Sequence, residues 1–104
     1  IFQPHLFTRT RDFLDDFAAS LDAADDVILL PIYPAREKPI KGITSELLLE
    51  KMQLESKMVC EKENLLEVLL EKRPEVLVTV GAGDIDKEVS KIAALFKSDE
   101  VEKE

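Results

Sequence analysis

The chain has 104 residues, of which 45% are hydrophobic and 35% are charged, a composition typical of one globular domain. Its 14 Lys and Arg residues stand against 22 Asp and Glu residues, and the formal net charge of −8 argues against general binding to nucleic acid or anionic membranes. No apolar run approaches the roughly 18 residues that span a bilayer. The single cysteine, Cys60, cannot form an intrachain disulfide and favours a reducing, cytoplasmic setting.

Four short apolar runs alternate with four helical patterns along the chain. Residues 1–3 are typical of the end of a strand, and because the sequence opens abruptly on them we expect a domain truncated at its N-terminal strand. A first helix is predicted from Thr8 or Thr10, since either hydroxyl can cap a helix start. Its apolar side chains recur on one helical face, at Phe13, Leu14, Phe17, Ala18 and Leu21.

The second apolar run, at residues 27–33, is continuous and predicts a parallel strand buried on both faces. We expect the strand to weaken at Pro31, because proline cannot donate a ladder hydrogen bond. A loop rich in Pro and Lys then leads to Thr44 or Ser45 as the cap of the second helix.

The third strand is predicted at residues 58–60, before a helix that Pro74 ends. The run at residues 76–80 predicts the best strand in the chain, and a last helix follows it. Strand–helix alternation with short links indicates a parallel sheet covered on both faces and joined by right-handed crossovers. The predicted fold class is therefore α/β, a three-layer Rossmann-like domain with a mostly parallel sheet.

Ligands of such sheets bind beyond the carboxyl ends of the strands, so we expect function where the loops at residues 3–11, 34–44 and 81–86 converge. The last loop contains Gly-Ala-Gly but is not a dinucleotide fingerprint, because Asp86 stands where the third glycine would be. A phosphate-binding P-loop is also missing. We expect these glycines to permit a close strand-to-helix turn, with Asp84 or Asp86 as the helix cap.

The first loop combines cations with the only histidine of the chain. Arg9 and Arg11, beside a predicted helix start, can hold a carboxylate or a phosphate through bidentate hydrogen bonds. His5 can donate or accept a hydrogen bond near neutral pH. The alternative is that the arginines pair with nearby aspartates on a solvated surface and that His5 caps a turn. The residues alone leave both interpretations open.

The second loop carries three cations, Arg36, Lys38 and Lys41, in a markedly acidic chain. They can attract an anionic substrate, or they can serve only to solubilise an exposed loop. One His and one Cys cannot build a zinc site, so we expect no metal site in the chain.

Three blocks of sequence carry a more specific signal. They are FQPHLFTRTRD at residues 2–12, DVIL at 26–29 running into IYPAREKPIKGITS at 32–45, and VGAGDI at 80–85. In this order and spacing they resemble the C-terminal domain of the Mur ligases that join L-alanine to UDP-N-acetylmuramate. The resemblance assigns residues 1–97 to part of that domain. Residues 98–104 are nearly all polar, and this composition predicts a frayed tail.

The resemblance implies a three-domain ligase that consumes ATP through an acyl-phosphate on the muramate carboxylate. In this family an N-terminal domain holds the UDP-sugar, a central domain holds ATP and Mg²⁺, and the C-terminal domain closes over both. We therefore expect no cofactor in this part of the enzyme and no activity from the isolated chain. The expected partners are UDP-N-acetylmuramate, L-alanine and the other two domains, together with self-association through the truncated edge.

The resemblance also places substrate-binding residues. His5 and Arg9 match positions that face the amino-acid and muramate end of the cleft, and Tyr33 and Arg36 are further candidates in the second loop. Many relatives carry Arg where this chain has Leu6, so one expected cation is missing. The resemblance implies no catalytic residue and no metal ligand in this part of the enzyme.

Two alternative functions compete with this interpretation. One is the related ligase that attaches recycled murein tripeptide to the same nucleotide sugar, although its first loop lacks the Thr-Arg-Thr-Arg run at residues 8–11. The other is a non-catalytic α/β binding module. A Gly-x-x-Gly-Lys-Thr-type loop upstream of the chain would distinguish a ligase from such a module.

Overall fold

A computed structural model describes residues 1–103 of the chain and the side chains of residues 1–97. Four strands form one sheet: β1 (Phe2–Gln3), β2 (Val27–Leu29), β3 (Lys57–Val59) and β4 (Val80–Gly81). Five helices surround it: α1 (Phe7–Asp12), α2 (Leu14–Leu21), α3 (Ser45–Lys51), α4 (Leu65–Lys72) and α5 (Asp86–Lys103), with a 3₁₀ turn at Lys62–Asn64 before α4. Within this described part, no helix is long and apolar enough to cross a membrane.

The sheet has the order β3-β2-β1-β4, and every pair of neighbours is parallel. Successive side chains of a strand point to opposite faces, and β2 accordingly divides the core in two. Ile28 and Leu30 pack with residues of α4 and α5 on one face, whereas Val27 and Leu29 pack with residues of α2 and α3 on the other. The three-layer α/β fold predicted from the sequence is confirmed.

Local features of two elements agree with the sequence. Regular β2 ends at Leu29, ahead of Pro31, and Thr44 is the N-cap of α3, where its hydroxyl accepts a hydrogen bond from the Leu47 N–H at 3.1 Å. Ser45, the alternative cap, is instead buried and donates from Oγ to the Leu30 carbonyl at 2.6 Å. This bond fastens the start of α3 to the end of β2.

The prediction of a single first helix beginning at Thr8 or Thr10 is wrong. Helix α1 begins at Phe7, and α2 begins only after a break at Phe13, whose backbone (φ −116°, ψ 22°) is not helical. The predicted apolar face assumed one continuous helix axis, and the break removes Phe13 from that face. Phe13 is consequently exposed, while Ala18 and its neighbours in α2 pack into the core.

The prediction of a well-formed strand at residues 76–80 is also wrong for most of that segment. Regular pairing is confined to Val80–Gly81 of β4, at the edge of the sheet. Val76, Val78 and Val80 are 82%, 62% and 50% exposed, and Val76 and Val78 lie outside the regular sheet. An apolar run by itself does not distinguish a central strand from an edge strand.

Helix α5 continues to Lys103 and so includes most of the segment at residues 98–104 for which the sequence suggests a frayed tail. The side chains of that segment and residue 104 lie outside the described residues, and the tail stays a prediction.

Candidate functional site

The three loops that leave the carboxyl ends of the strands meet at one edge of the sheet, as predicted. Thr8, in the first loop, is hydrogen-bonded to Glu37 in the second. Gln3, at the end of β1, is hydrogen-bonded to Asp84 and Ile85 in the third. The three loops are therefore joined to one another by hydrogen bonds.

His5 and Tyr33 are held together by both backbone and side chain. Their backbones form an isolated parallel bridge, in which the Tyr33 N–H donates to the Pro4 carbonyl at 2.8 Å and the Leu6 N–H donates to the Tyr33 carbonyl at 2.9 Å. The two rings are stacked, with centroids 5.8 Å apart and planes 13° apart. The structure thus brings together two of the four residues that the sequence resemblance assigned to substrate.

The Nδ1 atom of His5 is buried and has no hydrogen-bond partner among the described residues. A buried polar atom without a partner is uncommon in folded proteins. The half-buried imidazole therefore retains unused hydrogen-bonding capacity at the meeting point of the loops.

Arg9 and Arg11 differ in their partners, although both lie on α1. The Arg11 guanidinium forms an exposed ion pair with Asp12 at 2.9 Å, and this hydrogen bond raises the pKa of Arg11 above its ordinary value. Arg9 is exposed and forms no ion pair with any described residue. The alternative in which both arginines pair with aspartates therefore holds for Arg11 and fails for Arg9.

Glu37 connects the second loop to the start of α1. Its carboxylate accepts hydrogen bonds from the Thr8 backbone N–H at 3.1 Å and the Thr8 hydroxyl at 2.5 Å. Hydrogen bonds from the Thr8 side chain and from backbone N–H groups lower the pKa of Glu37. The side chain of Leu6, the N-cap residue of α1, makes no capping hydrogen bond. Glu37, from the second loop, therefore caps the start of α1 instead.

The second loop also presents cations. Arg36, Lys38 and Lys41 are exposed, and Arg36 directly precedes the Glu37 anchor. Ala35 has a left-handed backbone, with φ +53°, which bends the loop just ahead of Arg36. Arg36 is thus carried on a fastened part of the loop, but no described contact joins it to His5 or Arg9.

Leu6 has a backbone φ of +70°, a conformation uncommon for residues other than glycine. Its carbonyl accepts hydrogen bonds from the N–H and the hydroxyl of buried Thr10, at 3.2 and 2.8 Å. These bonds hold the unusual turn between His5 and α1 in place.

A polar cluster at the base of the site was missed by sequence reasoning. The buried Gln3 amide donates to Asp84 Oδ1 at 2.5 Å and accepts from the Ile85 N–H at 2.9 Å, and Lys62 Nζ donates to Asp84 Oδ2 at 2.9 Å. Hydrogen bonds from Gln3 and Lys62 lower the pKa of Asp84, and the Asp84 bond raises the pKa of Lys62. The sequence suggested Asp84 only as a helix cap.

The structure was also compared with the expectations for a nucleophile and for a metal site near His5. Cys60 packs in the core with residues of α4 and α5, and burial raises the pKa of its thiol. No group of three or more His, Cys, Asp or Glu side chains in the described part of the chain is placed to hold a metal ion.

The amino-acid sequence was compared with those of known proteins. No protein-family model matches the chain. It is 54% identical over 96 residues to UDP-N-acetylmuramate–L-alanine ligase of Parabacteroides distasonis, and 55% identical over 97 residues to the ligase of that name in Phocaeicola vulgatus, each match covering 92% of the chain. It is 54% identical to the corresponding ligase of Christiangramia forsetii over 88% of the chain.

The chain is homologous to the C-terminal region of UDP-N-acetylmuramate–L-alanine ligases. It spans about a fifth of the length of these relatives, 21% of each of the first two and 20% of the third. In this ligase-like region the structure brings His5 and Tyr33 into contact, leaves Arg9 exposed on the helix that follows, and carries Arg36 on the adjoining loop.

Proposed function

We propose that the chain is the C-terminal domain of an ATP-dependent ligase that joins L-alanine to UDP-N-acetylmuramate in the synthesis of peptidoglycan precursors. The observation that carries the proposal is Arg9, an exposed guanidinium with no described ion-pair partner, at the edge where the three loops meet. The names of the relatives, UDP-N-acetylmuramate–L-alanine ligase, support this choice of reaction.

Both substrates carry anionic groups, since L-alanine, a zwitterion, has a carboxylate and UDP-N-acetylmuramate has a carboxylate and a diphosphate. Arg9 would hold a carboxylate through its planar pair of N–H donors. Arg36 and the lysines of the second loop would add positive charge at this edge of a protein whose net charge is −8. The edge would thus form the amino-acid and muramate side of the cleft.

His5 would contribute a hydrogen bond near the reacting groups, with its ring oriented by the stack on Tyr33. No residue of the chain is proposed to form a covalent intermediate. The domain would bind and orient the substrates and would close over ATP, so that water is kept from the acyl-phosphate.

ATP and Mg²⁺ would be bound mainly by a central domain of the full-length enzyme. The described residues form no cluster suited to a metal ion, and the chain has no P-loop sequence. The cofactors would therefore not be held by the residues of this chain, and the site would act in the cytoplasm.

The choice of substrate by the full-length enzyme tests the proposal against both alternatives. The enzyme is supplied with ATP, Mg²⁺, UDP-N-acetylmuramate and either L-alanine or murein tripeptide, and release of phosphate is followed. We expect turnover with L-alanine. Turnover with the tripeptide but not with L-alanine would identify the recycling ligase. Turnover with neither of the two would favour a non-catalytic module.

A further inference from the structure

Tyr33 contacts the first and the third loop at once. On the first loop its ring is stacked with His5. On the third loop it lies against Gly83, where a Cβ atom would come within 2.5 Å of Tyr33 Cγ and 2.7 Å of Tyr33 Cβ. The same Cβ would lie 2.7 Å from Gln3 Oε1. The tyrosine ring can occupy this position only because residue 83 is a glycine and has no Cβ atom.

The turn at residues 81–84 is held in place by the polar cluster beneath it. Gln3 bonds to both Asp84 and the Ile85 N–H, and Lys62 bonds to the other oxygen of Asp84. Gln3 also lies two residues before His5 in the chain. The cluster thus fastens the third loop to the strand end from which His5 emerges.

We propose that the turn at residues 81–84 positions His5 through Tyr33, and that Gly83 and Asp84 are positioning residues of the substrate site. Gly83 admits the tyrosine ring against the turn, and Asp84 fixes the turn against Gln3 and Lys62. Displacing the turn moves Tyr33 and, through the ring stack, the imidazole. The relevance of this coupling to substrate rests on the proposed function of His5.

The composition of the chain makes the coupling directly observable, because His5 is its only histidine and Tyr33 its only tyrosine. In NMR spectra of the 104-residue chain each ring gives one unambiguous set of signals. Proximity of the two rings gives cross-relaxation peaks between them, and the stack shifts the His5 ring resonances.

Gly83→Ala is the variant that tests the coupling. The backbone of Gly83 is not in the left-handed region, so the alanine acts through its methyl group and not through backbone strain. Gly42→Ala is the matched control, because Gly42 has a φ of +85° but no atom within 4 Å of the added Cβ. It introduces backbone strain without any contact to Tyr33.

We expect Gly83→Ala to shift the His5 ring resonances and to weaken or abolish the cross-peaks to Tyr33, and Gly42→Ala to preserve both. Unchanged His5 resonances and cross-peaks in folded Gly83→Ala would overturn the proposal. If Gly83→Ala fails to fold, Asp84→Asn replaces it, because it removes the charge that Lys62 binds and keeps an acceptor for Gln3. Unchanged His5 signals in that variant would overturn the proposal equally.

Kinetics of the full-length enzyme separate this inference from the proposed function. We expect Gly83→Ala to raise the KM for L-alanine or for the sugar nucleotide several-fold, with Gly42→Ala unaffected. Arg9→Lys tests the proposed site independently. If Arg9→Lys impairs the kinetics and Gly83→Ala does not, the positioning role is wrong. If Arg9→Lys has no effect, the site assignment fails, while the coupling measured by NMR stands.

Discussion

The carboxylate of Glu37 caps the start of a helix 29 residues away, through hydrogen bonds to the N–H and the hydroxyl of Thr8. Because these bonds favour the charged form, the folded pKa of Glu37 lies below its ordinary value of 4.5. A group with a lowered folded pKa stabilises the protein fully above its unfolded pKa. That stabilisation is lost as the pH falls through the folded value.

We therefore expect Glu37→Gln to lower the melting temperature near neutral pH. We also expect the melting temperature of this variant to fall less than that of the wild type when the pH is lowered below about 4.5. Thermal melts of both proteins between about pH 3 and pH 7 measure the difference. Glu50→Gln is the matched control, since Glu50 is exposed and forms no described hydrogen bond. If the melting temperatures of the wild type and of Glu37→Gln depend on pH in the same way, the hydrogen bonds from Thr8 to Glu37 contribute nothing to the pH dependence of stability.

Gln3→Met should destabilise the fold more than a typical surface change. Methionine has a similar size but leaves the buried Ile85 N–H without its acceptor and Asp84 without one donor. An unsatisfied buried polar group costs about 1–3 kcal/mol. Urea denaturation measures the free energy of unfolding, and Gln53→Met, at an exposed glutamine whose side chain has no described bond, is the control. Equal effects of the two substitutions would contradict the role of the cluster.

Arg9→Lys in the full-length enzyme should raise the KM for L-alanine or UDP-N-acetylmuramate, or lower kcat, with little change in melting temperature. Lysine keeps the charge but loses the planar pair of donors, and a hydrogen bond to a charged group contributes about 1.5–3 kcal/mol. Arg11→Lys is the matched control, because its exposed ion pair with Asp12 is worth about 0–1 kcal/mol. If Arg9→Lys keeps wild-type kinetics while its melting temperature falls by several degrees, Arg9 has a structural role and does not bind substrate.

The isolated 104-residue chain should show neither ligase nor ATPase activity, because its sequence contains no P-loop and its described residues form no metal cluster. The purified chain is incubated with ATP, Mg²⁺, L-alanine and UDP-N-acetylmuramate, and phosphate release is compared with a reaction without protein. Release that persists through further purification would show that the chain carries a catalytic site of its own.

Self-association of the isolated chain should use the edge strand β4. The exposed backbone groups of an edge strand can pair with another chain, and Val76, Val78 and Val80 present an apolar surface beside it. Sedimentation velocity over a range of concentrations should show a dimer that Val78→Lys weakens. Leu70→Lys, at an exposed apolar residue of α4, is the control. A monomer at every concentration would contradict the prediction.

The sequence alone determined the alternation of strands and helices and the edge of the sheet at which function should be sought. These features follow from local rules. A continuous apolar run indicates a strand buried on both faces, as in β2, and a hydroxyl before a helix indicates where the helix starts, as at Thr44. The parallel fold then places the carboxyl ends of the strands at one edge, which is why His5 and Arg9 could be placed there before any contact was known.

Only the tertiary structure decided which residues hold the site in place. Glu37 lies 29 residues from Thr8, and Gln3 lies 81 residues from Asp84. Such pairings depend on strand order and on how loops dock, which no local pattern encodes. The same reason applies to the valines of residues 76–80: their pattern predicts a strand, but only the order of strands and the layer of helices determine that it forms an exposed edge.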